Sequence, residues 1–152
     1  MKKLLIVLVL MAVSVAVFAG DWIPYLEEDK FTGDKAITLA YLEQTDPSTI
    51  LGVVFMPNRK GIVINTRCYF SDDDNEVLFR FDGGAAESIY SSVSKTGTSL
   101  VFTDDDFLDR MKTAKTLIIK IKPYSKPNII IDIDLDKYRQ AYETNRSEIE
   151  QL

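Results

Sequence analysis

The residues of this chain that could do chemistry are carboxylates, because they occur in short clusters. Asp72, Asp74 and Glu76 stand close together in a polar stretch. Ca²⁺ binds several protein oxygens at once, so these three side chains are candidate calcium ligands. Their spacing does not follow the DxDxDG pattern of a calcium loop, and no glycine follows them. We therefore favour a solvated turn at this position and keep calcium binding as the alternative.

Two other acidic groups have structural explanations. Asp132, Asp134 and Asp136 recur at every second residue, which on a strand would place all three on one face. We interpret them as the solvated outer face of an amphipathic strand, where charge discourages pairing with other chains. The aspartates at 104–106 follow Thr103, a candidate N-cap, and acidic residues favour the start of a helix.

Arg80 and Asp82 flank Phe81 and would share one face of a strand. We predict a structural ion pair between them, and the alternative is that Arg80 binds a ligand. A hydrolase that uses Asp82 as a catalytic carboxylate has less support, because no motif pairs this residue with a second acid.

The composition excludes several classes of catalytic site. The chain contains no histidine and a single cysteine, Cys68. Dyads of serine or cysteine with histidine are therefore excluded, and so are zinc sites built from histidine or several thiolates. No phosphate-binding or dinucleotide-binding glycine motif is present. We predict a protein that is not an enzyme and has no cofactor, with Cys68 as a small buried apolar residue or, alternatively, a site of intermolecular pairing.

Residues 1–19 have the pattern of a secretory signal peptide. Lys2 and Lys3 precede an apolar run, and Val17 and Ala19 supply small residues for cleavage before Gly20. An uncleaved anchor is the alternative, but the run of about 16 apolar residues is shorter than the roughly 20 that span a bilayer. We predict a periplasmic or secreted protein that is not bound to a membrane after cleavage.

Charge also limits the partners of the predicted mature chain. Lys2 and Lys3 leave with the signal peptide, so the net charge of −5 becomes −7 for residues 20–152. An acidic domain repels the phosphate backbone of nucleic acids, and it is repelled by anionic lipid surfaces for the same reason.

The rest of the chain predicts an antiparallel β-sandwich. Residues 61–82 alternate in polarity on both sides of a polar stretch at 71–75, which predicts a central hairpin with Phe79 and Phe81 in the core. Residues 21–35 contain Pro24 and read as an irregular segment in which Trp22 packs over the core. The spacing of the turns predicts about eight strands.

Helices are predicted at two places. One short helix lies between strands, with an apolar stripe of Phe107, Leu108 and Met111. The strand that follows, 115–124, carries lysines on one face and is predicted to be solvated or at a sheet edge. We assign residues 20–135 to the sandwich domain and 136–152 to a C-terminal helix or a frayed tail.

Short motifs also recur in an order typical of a known family. The segment that ends in Arg67-Cys68 precedes Phe79-Arg80-Phe81-Asp82, and the helix with Phe107-Leu108 follows. In this order the chain resembles small exported bacterial proteins of the type VI secretion-associated VasI/TagO family, together with related periplasmic and phage-borne domains. The resemblance implies an exported β-sandwich with an accessory or interaction role and no catalytic residues. The cysteine that usually lies near the C-terminus of that family has no counterpart here, so no disulfide is implied for Cys68.

The sequence therefore predicts a non-enzymatic interaction protein of the bacterial envelope, whose partner is another envelope or secreted protein. The alternative is a ligand- or calcium-binding domain that uses the acidic loops.

Overall fold

A computed structural model describes residues 20–30, 32–44, 48–71 and 75–152. These residues form ten strands and three helices. The strands are β1 (Trp22–Glu28), β2 (Lys35–Leu42), β3 (Ile50–Met56), β4 (Arg59–Asn65), β5 (Glu76–Phe81), β6 (Glu87–Tyr90), β7 (Ser92–Val93), β8 (Ser99–Phe102), β9 (Thr116–Ile121) and β10 (Ile129–Asp134). The helices are α1 (Asp105–Thr113), α2 (Leu135–Thr144) and α3 (Arg146–Ile149).

The strands form two antiparallel sheets, as predicted for a β-sandwich. The first sheet has the order β1-β2-β3-β4-β8-β7, and the second has the order β10-β9-β5-β6. Both sheets and the helices contribute to one cluster of buried apolar side chains. The sandwich class is confirmed, with ten strands in place of about eight.

The predicted central hairpin over residues 61–82 is wrong. Strand β4 pairs with β3 and β8 in the first sheet, whereas β5 pairs with β6 and β9 in the second. Between them the chain leaves the ladder, and the amides of Thr66 and Phe70 donate to the carbonyls of Thr98 and Gly97 at 3.0 and 2.7 Å. The alternation of polarity continues through this loop because Phe70 turns into the core, where it is buried.

The hairpin that does form joins β3 to β4. Met56 pairs with Arg59 across a two-residue turn of Pro57 and Asn58. Proline fixes a negative φ at the first position, and Asn58 adopts a φ of 62° at the second. This combination is typical of a type II turn.

Three other strands differ from the predictions. Residues 22–28 form a regular strand despite Pro24, because β1 is a sheet edge where the missing amide of proline costs no ladder bond. Residues 87–95, whose alternation after Gly83 and Gly84 predicts one weak strand, are divided into β6 and β7, which lie in different sheets. Strand β9 lies between β10 and β5, so of its two predicted positions the solvated face is observed and the edge is not.

Helix α1 has the predicted apolar stripe, but its cap is one residue later. The carboxylate of Asp104, not the hydroxyl of Thr103, accepts the amide of Phe107 at 2.7 Å. The ring of Phe107 lies 4.8 Å from the ring of Phe79 and 5.2 Å from that of Phe81. Both strand phenylalanines are buried, which confirms that they are core residues.

The C-terminal segment is helical and docked. Helix α2 packs against β1, β2 and β9, and Tyr138 is completely buried. Its ring lies 4.8 Å from that of Trp22, which is buried as predicted. Asp134 ends β10 and caps α2 by accepting the amide of Asp136, so the predicted strand ends before Asp136.

One side chain joins the two sheets by a hydrogen bond. The hydroxyl of Tyr41 on β2 donates to the carbonyl oxygen of Asp132 on β10 at 2.9 Å. This bond satisfies a carbonyl of an edge strand, which lies at the margin of the second sheet.

Candidate interaction surface

A cleft of about 450 Å³ opens at the end of the second sheet where β5 and β10 begin and β9 ends. We call this the open end, because α1 and α2 adjoin the opposite ends of β9 and β10. Its lining combines apolar and polar side chains. The side chains that line it belong to Phe70, Leu78, Leu100, Ile121, Asn75, Glu76, Asn128, Lys120 and Lys122.

Exposed apolar side chains surround this cleft. Six large apolar side chains are exposed among the described residues, and five of them adjoin a residue that lines the cleft; four of these five are more than half exposed. Tyr69 precedes Phe70, Tyr124 follows Lys122 by two residues, Tyr90 pairs with Glu76, and Ile130 pairs with Lys120. Their exposed fractions are 54% for Tyr69, 71% for Tyr90, 64% for Tyr124 and 58% for Ile130. We call these four side chains the tyrosine rim.

Backbone hydrogen bonds hold the loops that carry the rim. The amide of Tyr124 donates to the carbonyl of Tyr69 at 2.8 Å, which joins the two loops. The ring of Tyr69 lies against Gly97, where a Cβ would come within 2.2 Å of a ring carbon. Gly97 has a φ of 74°, so its backbone conformation also favours glycine. The rim is therefore positioned before any partner binds, which lowers the entropic cost of binding.

A serine fixes the third side of the open end. The amide and the hydroxyl of Ser91 both donate to the carbonyl of Asn75, at 3.0 and 2.9 Å. These bonds continue the register of the β5–β6 pair by one position, and the chain passes to the other sheet at the next residue, where β7 begins. They also anchor Tyr90, the preceding residue, beside the cleft.

The electrostatics of the open end are mixed. Lys120 and Lys122 line the cleft in a chain whose overall charge is negative, and Glu76 faces the same space. Cys68 lies in the adjoining loop, is half-buried and is a free thiol. The predicted full burial of Cys68 is therefore only partly realised.

Only one of the three candidate calcium ligands belongs to the described residues. Asp72 and Asp74 lie outside the described residues, and Glu76 is an exposed residue at the start of β5. Within the described ranges, no three acidic or thiol side chains are grouped as a metal site would require. Calcium binding by this loop stays a prediction.

The structure does not bring Arg80 and Asp82 together. Arg80 is exposed on β5, and no ion pair joins it to Asp82 in the described part of the chain. The carboxylate of Asp82 instead accepts the amides of Thr116 and Lys115 at 2.9 and 2.8 Å, and these bonds lower its pKa. Asp82 thus fastens the end of β5 to the start of β9, away from the open end.

Sequence reasoning missed a different arginine. Arg110 on α1 donates two hydrogen bonds to the carboxylate of Glu87, at 2.9 and 2.8 Å, and its guanidinium carbon lies 4.3 Å from the centre of the Phe81 ring. The hydrogen bonds from Arg110 lower the pKa of Glu87. No sequence motif links these residues, which are 23 positions apart. Arg110, Glu87 and Phe81 therefore have a structural role between α1 and the second sheet and do not line the cleft of the open end.

The predicted acidic face is present in part. Asp132 and Asp134 are exposed on β10, and Ile131 and Ile133 between them are buried. Asp136 belongs to α2 and pairs with Arg139. These carboxylates have structural partners or face solvent and do not converge on one point.

None of the helices in the described part of the chain has the length and apolarity that crossing a membrane requires. No protein-family model matches the chain, and no curated protein matches it significantly. The crystal structure of invasion associated protein B from Bartonella henselae is similar in fold, with a TM-score of 0.59. That protein is 11% identical, and the match covers 88% of this chain and 95% of the other. At this identity, the likeness establishes a shared fold.

Proposed function

We propose that this protein is an exported, non-enzymatic interaction module of the bacterial envelope, and that it binds another protein through the open end. The observation that carries the proposal is the tyrosine rim around the cleft. Tyrosine is enriched in the energetically dominant part of protein interfaces, because it supplies a large contact area and a hydroxyl at low entropic cost.

The shape and polarity of the open end favour a protein partner. All four rim side chains are more than half exposed around the cleft, which leaves their surfaces free to contact a large partner. Exposed apolar groups that cluster in this way mark interaction sites on soluble proteins. Lys120 and Lys122 add positive charge, so a carboxylate on the partner would complement the walls of the cleft.

Two further observations support an envelope role. Residues 1–19 have the pattern of a signal peptide, and the motifs quoted above resemble exported accessory proteins. A protein of similar fold carries the name invasion associated protein B, which is compatible with an accessory or interaction role.

The test compares the proteins captured by two variants, each of which changes exposed apolar side chains on a different surface. Tyr90→Ser combined with Tyr124→Ser strips the rim, and Leu26→Ser removes an equally exposed apolar side chain from β1, an edge of the other sheet. Tagged proteins are expressed at native level in the host, and the envelope fraction is captured and quantified. We expect a protein that is recovered with the wild type and with Leu26→Ser, and that is lost with the rim variant.

Melting curves establish that both variants are folded, since all three side chains are exposed and their loss should leave stability almost unchanged. Equal recovery of every co-purifying protein with the wild type and the rim variant would reject the open end as the binding surface.

A further inference from the structure

A second cleft lies away from the open end. It has a volume of about 500 Å³ and is formed by the β3–β4 turn, the first turn of α1 and the C-terminal helices. The apolar side chains of its lining, which we call the floor, are those of Phe55, Met56, Tyr142, Ile149 and Leu152. We call this the helix cleft.

Three cationic side chains also line the helix cleft. They are Arg59, Lys60 and Lys112, and Asp105 is the one acidic side chain in the lining. Lys60 is paired with Asp105 at 3.1 Å. The side chain of Arg59 is exposed and forms no ion pair within the described ranges. In a chain with a net charge of −5, this is a local reversal of sign.

The position of Lys112 links the charge to the apolar floor. Its ammonium nitrogen lies 5.0 Å from the centre of the Tyr142 ring, and its carboxylate neighbour Asp109 is 3.5 Å away and largely exposed. An exposed pair one helical turn apart gains little from its contact, so Lys112 can turn to another anion at small cost. An anion placed above Tyr142 would therefore contact a cation without losing contact with the floor.

The helix cleft is held open by packing around it. The ring of Phe55 lies 5.8 Å from that of Tyr142, which fixes one side of the floor. The amide of Leu152 donates to the carbonyl of Ile149 at 3.3 Å, and the Leu152 side chain lies against the same surface. The Pro57-Asn58 turn fixes the position of Arg59 at the rim.

We propose that the helix cleft binds an anionic amphiphile, a single acyl chain that ends in a carboxylate. The acyl chain would lie on the floor formed by Phe55, Tyr142 and Ile149, and the carboxylate would accept hydrogen bonds from Arg59 and Lys112. An apolar body removes the floor from water, and the charged head group selects the cationic rim over any other apolar surface of this acidic protein. The proposal concerns a different surface from the protein-binding open end and does not depend on it.

The test is a pair of calorimetric titrations with probes of opposite charge. Dodecanoate and dodecyltrimethylammonium have the same chain length and are each added below the concentration at which they form micelles. We expect one dodecanoate per protein, bound at least ~tenfold more tightly than the cation. Amide shifts in NMR spectra should change first at Tyr142 and Ile149.

Matched charge reversals locate the binding site. Arg59→Glu with Lys112→Glu should weaken dodecanoate binding by roughly tenfold or more. Lys120→Glu with Lys122→Glu makes the same change of charge in the cleft of the open end and should leave the affinity unchanged. If the first double variant does not fold, Arg59→Gln, which alters an exposed side chain, gives the same comparison.

Equal affinity for the two probes would overturn the proposal, because binding would then be apolar and non-selective. An equal loss of affinity in both double variants would also overturn it, since net charge alone would explain the result. The absence of measurable dodecanoate binding would reject the site outright.

Discussion

Replacing Tyr41 by phenylalanine removes the hydrogen bond that joins the two sheets and leaves the packing of the ring in place. The hydroxyl donates to the carbonyl of Asp132, 91 residues away, and Tyr41 itself is buried. The variant leaves that carbonyl without its donor. A lost hydrogen bond that strands a partly buried acceptor costs about 1 to 2 kcal/mol, which is the stability loss we expect near pH 8.

The same hydroxyl makes this loss depend on pH. Burial, followed by the charges of Glu43, Asp132 and Asp134, raises the pKa of Tyr41 from 10.0 to about 12. A pKa raised in the folded state means that the stabilisation is fully present below pH 10 and is lost as the pH rises towards 12. At pH 11 the free energy of unfolding of the wild type should have fallen by about 1.4 kcal/mol through this group. The phenylalanine variant has no hydroxyl at this position and should show no such fall. The difference between the two proteins should therefore nearly vanish at pH 11.

Urea unfolding of both proteins at pH 8 and pH 11, followed by circular dichroism, measures this difference directly. All other titrating groups are shared, so they cancel in the comparison. Tyr138→Phe is the matched control for the hydrogen bond at pH 8, because the hydroxyl of Tyr138 is buried without a partner in the described part of the chain. A Tyr41→Phe loss that stays the same at the two pH values would refute the role assigned to this hydroxyl.

Three further outcomes are expected. Tyr138→Phe should leave the free energy of unfolding at pH 8 unchanged or slightly raised, because it removes a buried hydroxyl that has no partner; a loss above about 1 kcal/mol would contradict this. Phe107→Ala should cost roughly 3–5 kcal/mol in urea unfolding, since its ring is buried against three other phenylalanines. Gly97→Ala should destabilise by more than about 1 kcal/mol and displace the ring of Tyr69, because the residue has a φ of 74° and no space for a Cβ; unchanged stability and partner capture would contradict it.

The fold class was predictable because alternation of polarity is a local signal. Phe79 and Phe81 were placed in the core from alternation alone, and the stripe of α1 followed from its helical period. The pairing of strands was not local. Residues 61–82 look like one hairpin in which β4 pairs with β5. Nothing in that stretch shows that β4 pairs instead with β8, nearly forty residues later.

Single residues limited the sequence reasoning in two ways. Pro24 indicated an irregular segment, yet a proline is tolerated wherever its side of the strand faces no neighbour. The lysines of β9 indicated either a solvated face or an edge, and the structure has the solvated face on a central strand. A strand at a sheet edge and a central strand with one exposed face have the same sequence pattern. Only the pairing of strands distinguishes the two.

The interaction surface was not predictable from motifs. Tyr69, Tyr90, Tyr124 and Ile130 come from four separate segments, and each is unremarkable on its own. The ladder pairs that bring Tyr90 to Glu76 and Ile130 to Lys120 place them around one cleft. The helix cleft is also formed by distant segments, since Arg59 and Lys112 lie 53 positions apart in the sequence.

The central claim is that the open end binds a protein partner, and photocrosslinking in the host tests it most directly. A photoreactive phenylalanine analogue replaces Tyr124 at the rim in one strain and Leu26 on β1 in another, at side chains that are 64% and 61% exposed. We predict one discrete crosslinked protein from position 124 and none from position 26. Crosslinks of equal yield and pattern from both positions, or none from position 124, would contradict the claim.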